Sequence, residues 1–184
     1  MPAQKMGTSD TASAIVTMRP SVSSAVRAGG TFHLICRDRF GNLKWEDDAK
    51  NLVTNAGLQL MGNCMFRASG QTATWYVGLT DDTPVVTAAS TLAAPGGFTE
   101  FDEYSDNRKE WVEVQATNSW VNSGTSADFT ITGAGGGVGG AFLCAGATST
   151  SVLLFCGAAL TGGNRVVATA DTVAVTYTVA LADA

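Results

Sequence analysis

The sequence predicts a mainly β protein: an antiparallel β-sandwich, jelly-roll-like, with one short helix and an extended N-terminal arm. Stretches such as residues 128–132 and 172–179 alternate apolar and polar side chains, which is the period of a half-buried strand. Glycine supplies 21 of the 184 residues, and turn residues separate the alternating stretches. Helical patterns do not alternate with these strands, so a βαβ arrangement is not expected.

The arm is predicted over residues 1–30, and the β-sandwich domain over residues 31–184. The arm is rich in Ser, Ala and Thr, contains two prolines and ends in a Gly-Gly pair, a composition typical of linkers. Its apolar stretch, residues 14–18, is hydrophobic enough to add a strand to a neighbouring surface. The alternative interpretation is a disordered tail.

The first elements of the domain are a hairpin and a helix. Residues 32–39 alternate and predict a strand, and a turn at residues 40–43 leads into a second strand at 44–46. Residues 50–61 carry apolar residues at helical spacing, and Gly62 is expected to end this helix. The predicted apolar face of the helix contains Leu52, Val53, Ala56, Leu60 and Cys64.

The remaining strands follow at turn-separated intervals, which favours a sandwich or jelly roll. A long loop is expected over residues 81–97, and residues 98–104 are typical of an exposed edge strand. The other strands are predicted over residues 74–80, 110–115, 127–132, 138–144, 151–156 and 172–181.

Charge and hydropathy indicate the class of partner. Charged residues make up 15% of the chain, against about 25% in average domains, so we expect copies of itself or another protein to cover part of the surface. All acids except Asp10 lie in residues 31–184, which disfavours nucleic acid as a partner. Neither a membrane-length apolar run nor a signal-peptide core is present, so we expect synthesis in a cytoplasm and no membrane partner.

The four cysteines, Cys36, Cys64, Cys144 and Cys156, are widely spaced and have no C-x-x-C or Cys/His pattern. We interpret them as buried, reduced thiols that pack as small apolar groups. A disulfide between Cys144 and Cys156, across a hairpin, is the alternative.

Motifs for cofactors or catalysis are weak. Gly135, Gly137 and Gly140 match the spacing of a dinucleotide fingerprint, but a strand pattern follows where a helix is required, so a flexible glycine turn is expected. His33 is the only histidine and alternates with apolar neighbours, which places it on the polar face of a strand. We therefore expect no cofactor and no enzymatic activity.

The acidic clusters at residues 46–48, 81–82 and 100–106 are interpreted as solvated faces and loops. Calcium at residues 100–106 is one alternative, and glycoside hydrolysis by Glu100 and Glu103 is another. The four tryptophans are expected in the core or in a subunit contact, with a sugar-binding platform as the alternative. They are Trp45, Trp75, Trp111 and Trp120.

Several strings resemble small structural proteins of tailed bacteriophages. They occur at residues 36–46, 51–57, 75–80, 97–105 with Arg108, 129–131, 138–143 and 171–178. The resemblance covers about residues 32–180 and leaves the arm outside.

This resemblance implies a virion protein, and we expect a capsid decoration (cement) protein that binds the major capsid protein lattice and stabilises the head. A homo-oligomer is expected, located on the capsid surface of the virion. The alternative is a tail, neck or fibre component that contacts a host glycan through exposed tryptophans. The arm residues predicted to bind the partner are Ile15, Val16, Met18, Arg19, Val22, Val26 and Arg27.

Overall fold

A computed structural model describes residues 26–81, 83–93 and 99–183 of the chain. Within these residues the protein is mainly β with one helix. In chain order the elements are β1 (Val26–Arg37), β2 (Leu43–Lys50), β3 (Leu52–Val53), α1 (Asn55–Arg67), β4 (Tyr76–Thr80), β5 (Glu100–Phe101), β6 (Lys109–Glu110), β7 (Val114–Ala116), β8 (Ser119–Val121), β9 (Ala127–Thr130), β10 (Gly136–Val138), β11 (Gly140–Cys144), β12 (Leu154–Ala159), β13 (Arg165–Val167) and β14 (Thr172–Asp183).

The strands form two six-stranded antiparallel sheets and one two-stranded sheet. The first large sheet has the order β2-β1-β14-β8-β7, with β9 also paired to β14. The second has the order β3-β12-β11-β4-β5, with β6 also paired to β4, and β10 pairs with β13 separately. The predicted antiparallel β-sandwich with one helix is confirmed.

The core lies between the two large sheets and follows the alternation of the sequence. Phe32, Leu34 and Cys36 of β1 are fully buried, and so are Val173, Val175 and Tyr177 of β14. The register places Phe32 opposite Tyr177, and their rings stack with centroids 4.1 Å apart. Alternate side chains of a strand point to opposite faces, so this sheet buries one face in the core.

The second sheet is buried on both faces at its centre. Every residue of β11 is buried, and so are the first five of β12. Phe142, Cys144 and Leu154 pack with Leu92 in a cluster separate from the main core. The segment after β4 therefore covers the outer face, which explains the near-continuous apolar sequence of these strands.

The helix begins and ends later than the sequence predicted, so its predicted bounds of 50–61 are wrong. Residues 52–53 are used in β3, where Val53 pairs with Cys156. Thr54 then caps α1, because its Oγ1 accepts a hydrogen bond of 3.1 Å from the Gly57 amide. Gly62 lies inside the helix, and Ala68 ends it in the left-handed conformation (φ 47°).

The glycine segment is not the flexible turn that the sequence predicted. Gly136–Val138 forms β10, and Gly140 begins β11. A Cβ at Gly140 would lie 2.1 Å from the carbonyl oxygen of Ala158. This glycine is therefore required by close backbone approach rather than by a turn.

The start of β1 lies inside the segment predicted as the arm. Val26 pairs with Asp183 and Arg27 with Ala182. Residues 26–30 are therefore part of the first large sheet, where they pair with β14. The alternation of residues 98–104 yields only the short strand β5 and a single bridge from Tyr104 to Ile131. In the described ranges, the helix is too short and too polar to cross a bilayer.

Candidate docking groove

An apolar groove lies where α1 passes the open end of the sandwich. Three adjoining depressions of about 600, 270 and 580 Å³ form it, and all three are lined by Met61 and Leu181. Trp75 and Phe155 line two of the depressions, and Trp120 also lines two. We call this feature the apolar groove.

Different elements bring these side chains together. Met61 comes from the middle of α1, Leu181 from the distal end of β14 and Trp120 from β8. Helix α1 is held against the sheet at its N-terminal turn, where the Thr54 hydroxyl donates to the Leu154 carbonyl at 2.6 Å. A Cβ at Gly57 would lie 2.6 Å from the Phe155 carbonyl oxygen, so this turn sits directly on β12.

The rim of the groove exposes large apolar side chains. Phe66 is 83% exposed, Val26 74% and Met65 70%. All three line the same depression, together with Trp120 and Leu181. Monomeric soluble proteins rarely expose contiguous apolar patches of this kind unless a partner covers them.

The groove carries little charge. Among the described residues that line it, Glu113 is the only charged one. Arg27 and Arg67 neighbour the rim in sequence, beside Val26 and Phe66. The lining can therefore recognise an apolar segment, with one carboxylate available to an arginine or lysine.

The most exposed part of the rim was not predicted from the sequence. The predicted helix ends at Gly62, which leaves Met65 and Phe66 outside any element. Gly62 keeps a helical backbone, and Ala68 instead adopts the left-handed conformation that ends the helix. The available signal was the apolar pair directly after Cys64, with no proline to stop the helix.

Of the seven arm residues predicted to bind a partner, five lie outside the described residues: Ile15, Val16, Met18, Arg19 and Val22. Val26 and Arg27 are described, as the first two residues of β1. Val26 lines the groove together with Met65 and Phe66.

The tryptophans are core and groove residues. Trp111 is buried, and its indole Nε1 donates to the Tyr177 carbonyl at 3.1 Å. Trp45 is partly buried and donates to the Val166 carbonyl at 3.2 Å. Trp75 and Trp120 pack partly against the core and line the groove.

The acidic cluster at residues 46–48 is not uniformly solvated as predicted. Asp47 is buried, and its Oδ2 accepts hydrogen bonds from Arg165 Nη2 at 2.8 Å and the Gly162 amide at 3.0 Å. Its Oδ1 accepts from the Thr161 hydroxyl. The alternation of β2 explains this, because Trp45, Asp47 and Ala49 share the inward face.

The neighbours of Asp47 in that cluster bind His33. His33 Nδ1 lies 2.8 Å from Asp48 Oδ1, and its Nε2 lies 3.4 Å from Glu46 Oε1. The His33 side chain is about one third exposed, which agrees with its predicted position on the polar face of a strand.

The acids of residues 100–106 are largely engaged by protein groups. Glu100 pairs with the buried Arg108, and Glu103 Oε2 accepts from the Ala134 amide at 2.9 Å. Asp106 lies 3.5 Å from Lys109 Nζ. Across the described part of the chain, His, Cys, Asp and Glu side chains form no group of three placed to hold a metal ion.

All four cysteines are free thiols, so the alternative of a Cys144–Cys156 disulfide is wrong. Cys144 pairs with Leu154, and Cys156 with Leu143. Cys156 belongs to the core between the sheets, whereas Cys144 belongs to the outer cluster. Cys64 is only partly buried and lines the groove.

Comparisons with protein-family models, with curated proteins and with solved structures found no match to this chain.

Proposed function

We propose that this chain is a bacteriophage capsid decoration protein, which binds the major capsid protein lattice and stabilises the head. In this proposal the arm and the apolar groove at its root form the contact surface. The protein acts as a homo-oligomer on the capsid surface and performs no chemical step. The arm residues assigned to the contact are Ile15, Val16, Met18, Arg19, Val22, Val26 and Arg27.

The observation that carries the proposal is the exposed apolar rim at Val26, Met65 and Phe66. Burial of apolar area is the main favourable term in protein association, at roughly 25 cal/mol per Å². Because the rim stands on a sandwich with a tightly packed core, little conformational entropy of the body is lost when a partner covers it.

The choice of a capsid partner rests on the resemblance to phage structural proteins. The resembling strings fall on β1 and β2, on β3 and the first turn of α1, and on β4, β5, β9, β10, β11 and β14. These strands form the framework of the sandwich, whereas the groove rim and the arm lie largely outside the strings. This division fits a shared scaffold with a contact surface particular to each member.

On a repeating shell, each individual contact can be weak. Copies joined to each other bind a symmetric lattice at several points, and linkage can raise the overall affinity by about 10²–10⁴-fold without any new contact. A homo-oligomer also matches the symmetry of its target, which allows every subunit to make the same contact.

The test is binding to emptied phage heads by the full-length protein and by the double variant Met65→Ser/Phe66→Ser. Sedimentation of heads with bound protein is expected to show at least about a tenfold loss of affinity for the double variant. Phe40→Ser is the matched control, because Phe40 is 74% exposed but lies in the turn at the opposite end of β1.

Equal binding by all three proteins would remove the groove from the proposal. Failure of the unaltered protein to bind heads, with binding to tails, would remove the decoration role altogether.

The alternative is a tail, neck or fibre component that contacts a host glycan. Trp75 and Trp120 in the groove favour it, since aromatic faces bind sugar rings. The position of the copies on particles separates the two functions: antibody labelling over the whole head supports decoration, and labelling confined to the tail supports this alternative.

A further inference from the structure

The first large sheet has a second face, which points away from the core. Residues that pair directly across neighbouring strands point to the same face of a sheet. One row of such pairs crosses β2, β1, β14, β8 and β7: Lys50, Thr31, Thr178, Val121 and Val114. Phe32 and Tyr177, which follow Thr31 and precede Thr178 along the chain, are buried in the core. The row therefore lies on the opposite face, which we call the outer face.

Solvent reaches the outer face in the single chain. Val114 is exposed, and a depression of about 400 Å³ lies over the middle strands. Gly29, Thr31 and Thr178 line this depression, and a Cβ at Gly29 would meet nothing within 4 Å. The outer face is therefore open at its centre and has a recess at Gly29.

Charged side chains lie at the borders of the outer face. Between Thr172 and Ala182, every outward residue of the central strand β14 is alanine or threonine. The charged residues lie on the edge strand β2, on β9 and at the two ends of β1: Glu46, Asp48, Lys50, Asp128, Arg27 and Arg37. His33 is bound to Glu46 and Asp48 at the β2 border. An uncharged centre with a charged rim is typical of a protein–protein interface.

We propose that two copies of the chain pack against each other through their outer faces. The two-fold axis crosses the strands at the level of Ala49, Phe32 and Tyr177, which pair across β2, β1 and β14. Every contact in such a pair occurs twice, with the two residues exchanged between the copies. This inference rests on the homo-oligomer of the proposed function and assigns its interface.

The register of β1 gives this pairing a match of shape. Gly29 and Ile35 lie three residues before and after Phe32, so the axis places Ile35 of each copy over Gly29 of the other. Ile35 is partly exposed and shares the outer face with Ala174, its partner on β14. The recess at Gly29 therefore receives a branched apolar side chain, and this contact is made twice.

The register of β2 gives a match of charge. Lys50 and Asp48 are the residues on either side of Ala49, so Lys50 of each copy faces Asp48 of the other. Both are exposed, and Lys50 takes part in none of the ion pairs among the described residues. An axis shifted by one residue along β2 would place Lys50 against Lys50, or Asp48 against Asp48. Charge repulsion therefore selects the axis at Ala49.

The outer face is large enough for a stable pair. Five strands about 4.8 Å apart give a width of about 24 Å, and the 12 residues of β14 give a length of about 40 Å. Because β7 and β8 have three residues each, the usable area is roughly 800 Å² by the same spacings. Each partner in a standard protein–protein interface buries about 800 Å².

The first test is sedimentation equilibrium of the unaltered protein and of Thr178→Arg, which places a charge at the centre of the outer face. We expect the unaltered protein to dimerise, and Thr178→Arg to dimerise at least about tenfold more weakly. Thr150→Arg is the matched control, because Thr150 is exposed in the loop between β11 and β12. This control and Met65→Ser/Phe66→Ser, which alters the apolar groove, should dimerise like the unaltered protein.

The second test exchanges the charges on β2, where both side chains are exposed and the fold is not disturbed. Lys50→Glu and Asp48→Lys each place like charges opposite one another, so each should weaken the dimer about threefold. The double variant Lys50→Glu/Asp48→Lys restores opposite charges and should dimerise like the unaltered protein. A double variant that dimerises more weakly than either single variant would overturn the axis at Ala49.

A monomeric unaltered protein would overturn the proposal, and so would undiminished dimerisation of folded Thr178→Arg. Loss of the dimer in Met65→Ser/Phe66→Ser alone would move the interface to the groove and also overturn it. Neither test involves phage heads. Failure of the dimer is therefore distinct from failure of head binding, which is measured separately.

Discussion

Arg108 and Glu100 form a two-point ion pair at the edge of the second sheet. Arg108 Nε donates to Glu100 Oε1 at 2.7 Å, and Nη2 donates to Oε2 at 2.6 Å. Arg108 is only 5% exposed. Its Nη1 also donates to the carbonyl oxygens of Gly146 and Ser149, both at 2.9 Å. One guanidinium therefore joins β5 to the loop between β11 and β12.

Substitution of Arg108 is expected to destabilise the protein strongly. Arg108→Met keeps much of the side-chain volume but leaves Glu100 and two carbonyl groups without their donor. The free energy of unfolding should fall by about 3 kcal/mol, measured by urea denaturation. Arg39→Ala is the control, because Arg39 is exposed, and should stay within about 0.5 kcal/mol. A loss below about 1 kcal/mol for Arg108→Met would contradict this account.

The Asp47–Arg165 pair predicts acid sensitivity. Burial alone would raise the pKa of the Asp47 carboxyl, but hydrogen bonds from Thr161, Arg165 and Gly162 outweigh burial and lower its pKa to about 2, from 3.8. The unfolded chain therefore binds this proton more readily. The stabilisation by the carboxylate is complete above about pH 5 and is lost as the pH falls through 4 towards 2, an effect on the order of 2 kcal/mol.

The measurement is the free energy of unfolding against pH for the unaltered protein and for Asp47→Asn. The variant should be less stable at pH 7 and should show a flatter profile between pH 5 and 2. Asp102→Asn removes a carboxylate that is exposed and serves as the control. Parallel profiles for the unaltered protein and Asp47→Asn would exclude Asp47 as the source of the pH dependence.

Two adjacent glycines in β1 are expected to respond oppositely to substitution. A Cβ at Gly30 would lie 2.2 Å from the backbone oxygen of Thr178, whereas a Cβ at Gly29 would meet nothing within 4 Å. Gly30→Ala should cost about 3 kcal/mol, since backbone of the neighbouring strand cannot move aside easily. Gly29→Ala should be neutral or slightly stabilising. Thermal unfolding of the two variants provides the test, and equal melting temperatures would contradict the β1–β14 packing.

The buried thiols should react only after unfolding. Burial raises the pKa of Cys36 and of Cys156 to about 11, and burial also raises that of Cys144. The thiolate is the reactive form. Two effects therefore protect these three thiols: burial keeps the reagent away, and the raised pKa keeps them protonated. Pulse alkylation at pH 8 with peptide mapping should label Cys64 first. Labelling of Cys36 at the same rate as Cys64 in native protein would show that the sandwich opens locally.

Local patterns predicted most of the fold. The alternation of residues 32–39 and 172–181 predicted the buried part of β1 and most of β14, because alternate side chains of both strands face the core. The start of β1 at Val26 was not predicted. Strands β3, β8, β10 and β13 were missed, since two or three residues are too few to establish a period. The helix was displaced because pairing of Val53 with β12 overrides the helical spacing of the local sequence.

The sequence alone determined the fold class, the low content of charged residues, and the concentration of acidic residues in residues 31–184. Hydrophobic periodicity and composition determine these properties, and neither depends on contacts between residues that are distant along the chain. Only the tertiary structure decided that Asp47 is buried beside Arg165, and that Met61, Trp120 and Leu181 line one groove. Those residues are separated by tens of residues along the chain, and their contacts depend on strand order and register, which local patterns do not encode.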